Sequence, residues 1–551
     1  MKNNYNCSLF NKSKVINYRI LKNIILRSNV LWLFIFLVRS SYCQESPNFL
    51  WLVCEDQSLF FSMYGDSNAN TPHIDQLAKD GIIYKNCYTP SPVCAPSRSS
   101  LITGMYPTSI GTQHMRSYKE NVSENQINPY NKLPYYSPKP FKPVRFFTED
   151  LRAKGYYCTN NAKEDYNMMC SPLAWDESSN AAHWRNRKKG QAFFSIFNFY
   201  VTHESSIWKN KHVFDTNKFN SIKVPKIFPE SDAIKSDFLA NYKNIEILDA
   251  KIGVIIDQLK EDGLYDNTII FFFSDHGGPF PRYKRSIYET GVRCPMVAKW
   301  IKNTDKLENN QLISFIDFAP TILDAANIER DIPFEGISFY KKDQRNYIYA
   351  ATDRFDENID KRRCIRGGNY KLIYNEDTTS PIYNLVEYRK QMKTMQVLDS
   401  IQAMNENSSY FSDWYTKQKD RFELYDVTND YYELNNIISY PEYEQVFKDL
   451  RSKLFLWMRE SDFGNMSEST MLSTMFTPTM AIPKIDTPEV IMKPSGYVIE
   501  PMNLHTSIGW RNKNETSWRI YKPSELIKPT EDFDVLLFQP GFEVFIRRYK
   551  N

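Results

Sequence analysis

No charge of one sign dominates this 551-residue chain: 69 Lys and Arg stand against 65 Asp and Glu, a formal net charge of +4, with the two signs interspersed. A basic face for nucleic acid is therefore not expected, and no nucleic-acid partner is assigned. Long hydrophobic runs are also missing. The apolar stretch Val30 to Val38 falls well short of the ~20 residues a spanning helix needs, so no stable membrane span is expected. No internal repeat is visible. The nine cysteines lack CxxC or comparable zinc spacing. Cys54, Cys87, Cys158, Cys170, Cys294 and Cys364 are either buried thiols or form one or two bridges, and the sequence leaves both open.

The N-terminus has the order of a secretory signal. Lys12, Lys14, Arg19, Lys22 and Arg27 precede Val30 to Val38, and the small residues Ser40 and Ser41 follow, as in a basic region, a short apolar core and a cleavage zone. Residues 1–43 are read as this signal and the mature protein as exported, periplasmic or secreted. An uncleaved anchor, or a lipoprotein anchor at Cys43 despite the poorly suited Tyr42, are the alternatives. The remaining ~500 residues exceed one small core and suggest two or three domains.

Three apolar runs of strand length each end in polar residues. Asn48 to Val53 runs into Cys54-Glu55-Asp56, Ala192 to Val201 into Thr202-His203-Glu204, and Thr268 to Phe273 into Ser274-Asp275-His276. Continuous apolar runs of this length read as buried parallel strands. Uncompensated charge at their tips is costly as core, whereas ligands collect at the carboxyl ends of such strands. A solvated loop pair, or a core histidine, is the plain alternative for each. Between these runs, Thr71-Pro72 starts a helix that Gly81 ends, Ile82 to Tyr88 reads as a strand, and Thr148 to Lys154 and Asp237 to Gly263 read as helices. His73 is read as structural. Tyr118 to Phe141 reads as an irregular loop.

The stretch around which these pieces are organised is PSPVCAPSRSSLITGMYP, Pro90 to Pro107. Singly, its prolines punctuate a loop, Cys94 is a small hydrophobe, and Arg98 sits one helical turn on. As one ordered string it resembles the sulfatase signature, cysteine-x-Pro-Ser-Arg-x-x-Leu-x-Thr-Gly, with every fixed position present from Cys94 to Gly104. The resemblance implies that Cys94 is oxidised to Cα-formylglycine by a formylglycine-generating or anaerobic sulfatase-maturating enzyme. The hydrated aldehyde is then the nucleophile and Arg98 holds it. A geminal diol suits this task because its second hydroxyl, on losing a proton, expels sulfate without water attacking the covalent intermediate.

The same resemblance implies a calcium site, with magnesium as the lesser choice, built from Glu55, Asp56, Asp275, His276 and the residue at 94. The family usually has Asp-Asp where this chain has Glu55-Asp56. Lys163, His203 and Lys284 are implied to surround the sulfate, Lys284 also facing the leaving oxygen. Where the family carries lysine-x-histidine, this chain has Lys163-Glu164-Asp165, which makes Asp165 a candidate base with His114 as a second candidate. His114 and Arg116 are candidate substrate contacts. Glu289 and Arg293, in YETGVRCP, are expected to form a structural pair, and Arg363 and Tyr370 to be scaffold.

The resemblance runs from about Asn48 to Met458 and implies an α/β fold: a large mixed central sheet flanked by helices, alkaline-phosphatase-like, with a smaller C-terminal α+β subdomain. The expected domains are 46–340, 345–460 and an extension, 461–551, low in helix signal and carrying a small β appendage. The Cys-Glu-Asp context and the Lys-x-Asp-Tyr-Asn pattern are similar to the branch near heparan N-sulfatases and bacterial polysaccharide sulfatases. Export and an aromatic content of 15% fit a sulfated carbohydrate substrate. A phosphonate or phosphate ester hydrolase of the same superfamily and a non-catalytic glycan-binding relative are the alternatives.

Overall fold

The computed structural model describes residues 46–122, 126–210, 216–301, 307–340, 344–403, 414, 418–476, 481–501, 505–523 and 525–551. The expected signal, 1–43, lies outside them. Among the described residues no helix is long and apolar enough to cross a membrane. Pro47–Asn551 form one compact unit.

Strand β1 (Asn48–Cys54) is buried along its whole length because its alternating side chains feed two cores. Phe49, Trp51 and Val53 pack on one face; Leu50, Leu52 and Cys54 pack on the other. Around it lie β2 (Ile82–Tyr88), β3 (Tyr157–Asn161), β4 (Glu177–Ser178), β5 (Phe193–Phe199), β6 (Thr268–Ser274), β7 (Arg293–Cys294), β8 (Met296–Lys299) and β9 (Glu308–Ser314). The nine strands form one sheet in the order β4-β3-β5-β1-β6-β8-β2-β7, with β9 beside β2. Strands β4, β3, β5, β1 and β6 are mutually parallel, whereas β8 runs antiparallel to β6 and β2, so the sheet is mixed as expected. Helices Pro72–Lys79 and Asp232–Glu261 cover one face. Helices Cys94–Thr103, Phe147–Ala153 and Phe318–Ala325 cover the other. There Trp51 is ringed by Phe147, Phe194, Phe271, Phe273 and Phe318.

Register does the rest: Cys54 is paired with Phe199 of β5 on one side and Ser274 of β6 on the other. The three strands therefore end level, and the residues just beyond them emerge side by side.

The long helix begins a turn earlier than expected, at Asp232, because Ile234 is buried in the same core. Within it, Asp237 accepts bonds from the Thr394 N–H at 2.6 Å and the Thr394 hydroxyl at 2.8 Å. Burial pushes its carboxyl up to about 6 against this hydrogen bonding. A carboxyl raised in the folded state penalises folding once the unfolded chain ionises, so stability falls as pH rises from about 4 through 6, by about 3 kcal/mol in all. Asp237→Asn keeps the accepting oxygen and removes the titration. Denaturant melts of the variant are expected to lose this part of the fall between pH 4 and 6.5, and an unchanged pH profile would refute the assignment.

A second sheet, antiparallel, follows in the order β10 (Tyr347–Phe355), β11 (Asn358–Gly367), β12 (Tyr370–Asn375) and β13 (Phe422–Asp426), with helix Glu444–Glu460 packed on it. Beyond Ser461, where little helix was expected, Glu468–Met475 is helical. Ser467 caps it by accepting from the Thr470 N–H at 3.1 Å, and Met471, Leu472 and Met475 bury against Tyr136 and Phe463. The chain ends in a hairpin, β14 (Glu489–Lys493) with β15 (Gly496–Glu500), and a four-stranded sheet of β16 (Ser507–Asn512), β17 (Arg519–Ile520), β18 (Phe533–Phe538) and β19 (Phe545–Tyr549). Cys54, Cys87, Cys158, Cys170, Cys294 and Cys364 are free thiols.

Candidate active site

The Pro90 to Pro107 stretch reaches the strand tips as the start of a helix. Cys94 is the first residue of Cys94–Thr103, and Gly104, in the left-handed region at φ 68°, closes it by donating to the Ser100 carbonyl. A side chain at Gly104 would also meet the Phe334 ring at 2.3 Å, so both the turn and the packing require glycine. Ser97 ties the helix to β6: its hydroxyl donates to the Asp275 carbonyl at 2.5 Å and accepts from Thr89 at 2.8 Å.

The Cys94 side chain is a free thiol, buried at the head of this helix. Its Sγ lies 3.2 Å from His276 Nε2 and 4.0 Å from Asp56 Oδ1. His276 Nε2 is 3.1 Å from Asp56 Oδ1 and 3.7 Å from Asp275 Oδ1. The Asp56 N–H donates to Asp275 Oδ1 at 3.1 Å, and the Glu204 N–H donates to Asp56 Oδ2 at 2.7 Å. Glu55, Asp56, Asp275 and His276 are completely buried.

Cations surround this acidic core. Arg98 donates from Nε to Asp275 at 3.2 Å and from one terminal nitrogen to Asn198 at 2.6 Å, its other terminal nitrogen lying 3.1 Å from Asp275 and 3.7 Å from Glu55. Lys163 Nζ donates to Glu55 at 2.8 Å, and Lys284 Nζ to both Asp56 oxygens at 3.0 and 2.8 Å. The consequences for ionisation differ by residue. Burial holds Glu55 above the usual carboxylate range, only partly offset by Lys163. Asp56 is equally buried, but Lys284, His203 and His276 outweigh burial and hold it well below. Burial opposes charge on His276, yet Asp275, Cys94 and Asp56 push it up to about 10. Burial and the Lys284 ammonium bring His203 down to about 4. Its Nε2 lies 3.4 Å from Lys284 Nζ, an ammonium that can only donate, and its Nδ1 2.9 Å from the Ser205 hydroxyl, so in the neutral ring Nε2 accepts and Nδ1 carries the proton.

This donor set fits a divalent cation. The ligand atoms of Asp56, Cys94, Asp275 and His276 lie within 4.8 Å of one another, and Glu55 Oε2 is buried without a hydrogen-bond partner. The His276 Nδ1–H can donate to the Gly277 carbonyl at 2.9 Å, which turns the Nε2 lone pair toward two carboxylates. Acceptors facing acceptors need either a proton or a cation between them. Carboxylates in the majority suit a hard ion.

Other expected residues fall elsewhere. Asp165, at φ 49°, faces Lys163 at 3.4 Å. Arg116 is at the rim, its side chain 43% exposed, paired with Asp356 at 3.0 Å and stacked on Tyr130. His114 is not at the rim: it is buried, with Nδ1 facing the Arg354 N–H at 3.4 Å, and burial lowers its pKa. Glu289 and Arg293 do not form the expected direct pair. Glu289 accepts from Tyr88 at 2.9 Å and Lys371 at 3.4 Å, while Arg293 donates to the Lys85 carbonyl at 2.8 Å, because the second sheet supplies nearer cations. Arg363 is buried and bonded to Asp353, Thr352 and Gly464. Missed altogether were Asn198, Arg285, Asp356 and Arg389, which no local pattern marks. Glu204 was visible beside His203 but had no assigned partner.

Lys284 is held by a tight backbone crossing. A Cβ on Gly291 would lie 2.0 Å from the Ser286 carbonyl oxygen and 2.3 Å from that of Tyr283. Gly291→Ala is expected to cost about 3 kcal/mol or more and to displace Lys284. A melting curve indistinguishable from wild type would contradict this crowding.

Comparison with known proteins places the chain. The sulfatase family model matches residues 47–328, and the model of the N-sulphoglucosamine sulphohydrolase C-terminal region matches 280–410. An ulvan-active sulfatase of Formosa agariphila is 36% identical over 544 residues, covering 91% of this chain and 90% of its own. Human N-sulphoglucosamine sulphohydrolase is 21% identical, covering 76% and 91%. Among solved structures, a protein in complex with its substrate D-glucosamine-2-N,6-O-disulfate superposes with a TM-score of 0.52 at 16% identity, covering 77% of this chain and all of that one. A 2-O glycosaminoglycan sulfatase gives 0.52 at 17% identity, covering 76% and 93%. These two establish the shared fold.

Proposed function

The chain belongs to the sulfatase family and is a sulfuric ester hydrolase, and from that premise we propose that it is an exported, calcium-dependent enzyme that removes sulfate from a sulfated polysaccharide of the ulvan or glycosaminoglycan kind. The observation that carries the reading is the Cys94 thiol at the start of a helix, within 4.0 Å of both His276 and Asp56 and flanked by Lys163, Lys284 and His203. The relatives named for ulvan and for N-sulphoglucosamine support the substrate class.

Formylglycine at position 94 supplies a geminal diol, one hydroxyl of which takes the sulfuryl group while the other, on losing its proton, expels sulfate. Glu55, Asp56, Asp275 and His276 would hold the calcium ion, which would supply Lewis acidity to the reaction. Arg98 orients position 94 through Asp275. Lys163 and Lys284 neutralise the sulfate as charge builds on its oxygens. Lys284, beside the neutral His203 ring, faces the departing sugar oxygen and is placed to donate to it.

The test is to co-produce the chain with a formylglycine-generating or anaerobic maturating enzyme. Mass spectrometry of the peptide spanning Cys94 and sulfate release from ulvan, glycosaminoglycans, an aryl sulfate and an aryl phosphate diester are then measured. An aldehyde at position 94 with sulfate release from a polysaccharide is expected. Faster turnover of the phosphate diester, or a position 94 that remains a thiol in active protein, would overturn the reading.

A further inference from the structure

Glu204 follows His203 and is completely buried, yet three cationic side chains crowd its carboxylate. Oε1 lies 3.2 Å from Lys284 Nζ and 2.9 Å from one Arg285 terminal nitrogen. Oε2 accepts from the other Arg285 terminal nitrogen at 3.1 Å, and from Arg389 Nε and a terminal nitrogen at 3.1 and 2.9 Å. Its backbone N–H donates to Asp56 Oδ2 at 2.7 Å. One residue thus touches the acid expected to hold the metal and the lysine expected to face the leaving oxygen.

Its partners come from far along the chain. Arg389, fully buried, sits in the short helix Glu387–Gln391, which belongs to the connection between β12 and β13. Arg285 is shared with Asp356, at the turn between β10 and β11, which accepts from Arg285 Nε at 2.7 Å and also pairs with Arg116. The second sheet therefore reaches the catalytic corner at two points, and Glu204 is the catalytic-sheet end of one of them.

An uncompensated buried charge is strongly destabilising, and here three cations, Lys284, Arg285 and Arg389, meet three carboxylates, Glu204, Asp56 and Asp356, so each cation is held in place by the network. Lys284 has two carboxylates within 3.2 Å, Asp56 and Glu204. Glu204 is the one of these not counted among the candidate metal donors.

We propose that Glu204 is a positioning residue: clasped by Arg389 of the connection between β12 and β13, it fixes Lys284 opposite the leaving sugar oxygen. This rests on the reading of the site as one that cleaves sugar sulfates. A group that assists the leaving oxygen matters for a sugar alkoxide and little for 4-nitrophenolate, and assistance of this kind is worth roughly 100-fold or more. Glu204→Gln is expected to lower kcat on the sulfated polysaccharide about 100-fold and on 4-nitrophenyl sulfate less than about 10-fold. Arg389→Lys, which keeps the charge and loses the two-point clasp, should show the same leaving-group dependence at about 10-fold on the polysaccharide, and it decides the matter if Glu204→Gln does not fold. Equal losses on both substrates, or no loss on either, would overturn the positioning role. Wild-type turnover of the polysaccharide is scored separately, so failure of the underlying substrate reading is distinguishable from failure of this one.

Discussion

Cys94→Ala is expected to abolish sulfate release, lowering kcat by about five orders of magnitude as loss of a covalent nucleophile does, while the protein still folds. Cys94 is 3% exposed and touches polar neighbours, so little apolar packing is lost with its sulfur. Thermal melts should stay within a few degrees of wild type. Serine at this position makes the sharper test. With one hydroxyl instead of two, it has an oxygen to accept a sulfuryl group but none to expel sulfate. Cys94→Ser is therefore expected to give at most one turnover and a sulfated serine visible by mass spectrometry. Sustained turnover by either variant would remove position 94 from the chemistry.

Asp275→Asn carries the next largest expected effect, because three dependencies meet on one carboxylate. Arg98 lies on it at 3.2 and 3.1 Å, the Asp56 N–H donates to it at 3.1 Å, and it is one of the donors grouped around Cys94. Removing one partner of a buried ion pair typically costs about 3–5 kcal/mol, since Arg98 remains buried. For the wild type, calcium at a hundredfold excess over its dissociation constant is expected to stabilise by about 2.7 kcal/mol, seen as a rise in Tm that a chelator reverses. For Asp275→Asn the expectation is a flat calcium response and a kcat/KM reduced about a thousandfold or more. A variant that answers calcium as the wild type does would show that Asp275 is not among the donors.

The candidate site was legible where its chemistry is written in consecutive residues. Cys94 to Gly104 is a contiguous string, and Glu55-Asp56, His203 and Asp275-His276 each follow a strand-length apolar run, so order marked the positions while the resemblance to the sulfatase signature implied their roles. His114, a candidate substrate contact from the sequence, is buried instead, because Glu468 and Arg354 of later elements meet nearby and enclose it. The Glu289–Arg293 pair failed for the same reason: Lys371, from β12, is nearer to the carboxylate than the arginine four residues on. Helix Glu468–Met475 was overlooked although Ser467 and Glu468 are a readable start signal, since its apolar face is short.

What the sequence determined by itself is the chemistry available and the direction of each strand: an apolar run buries, its polar end emerges, and a glycine follows a helix. What tertiary structure alone decided is which ends meet. Cys54 stands level with both Phe199 and Ser274, and that register, set by side chains packing on two faces of one sheet, turns three separate tips into one charged pocket. The same holds for Glu204, Arg285, Asp356 and Arg389, whose pairings with one another join residues 71 to 185 positions apart in the chain. Charges so distant leave no local pattern, and they find each other only because burial forbids them to stand unpaired.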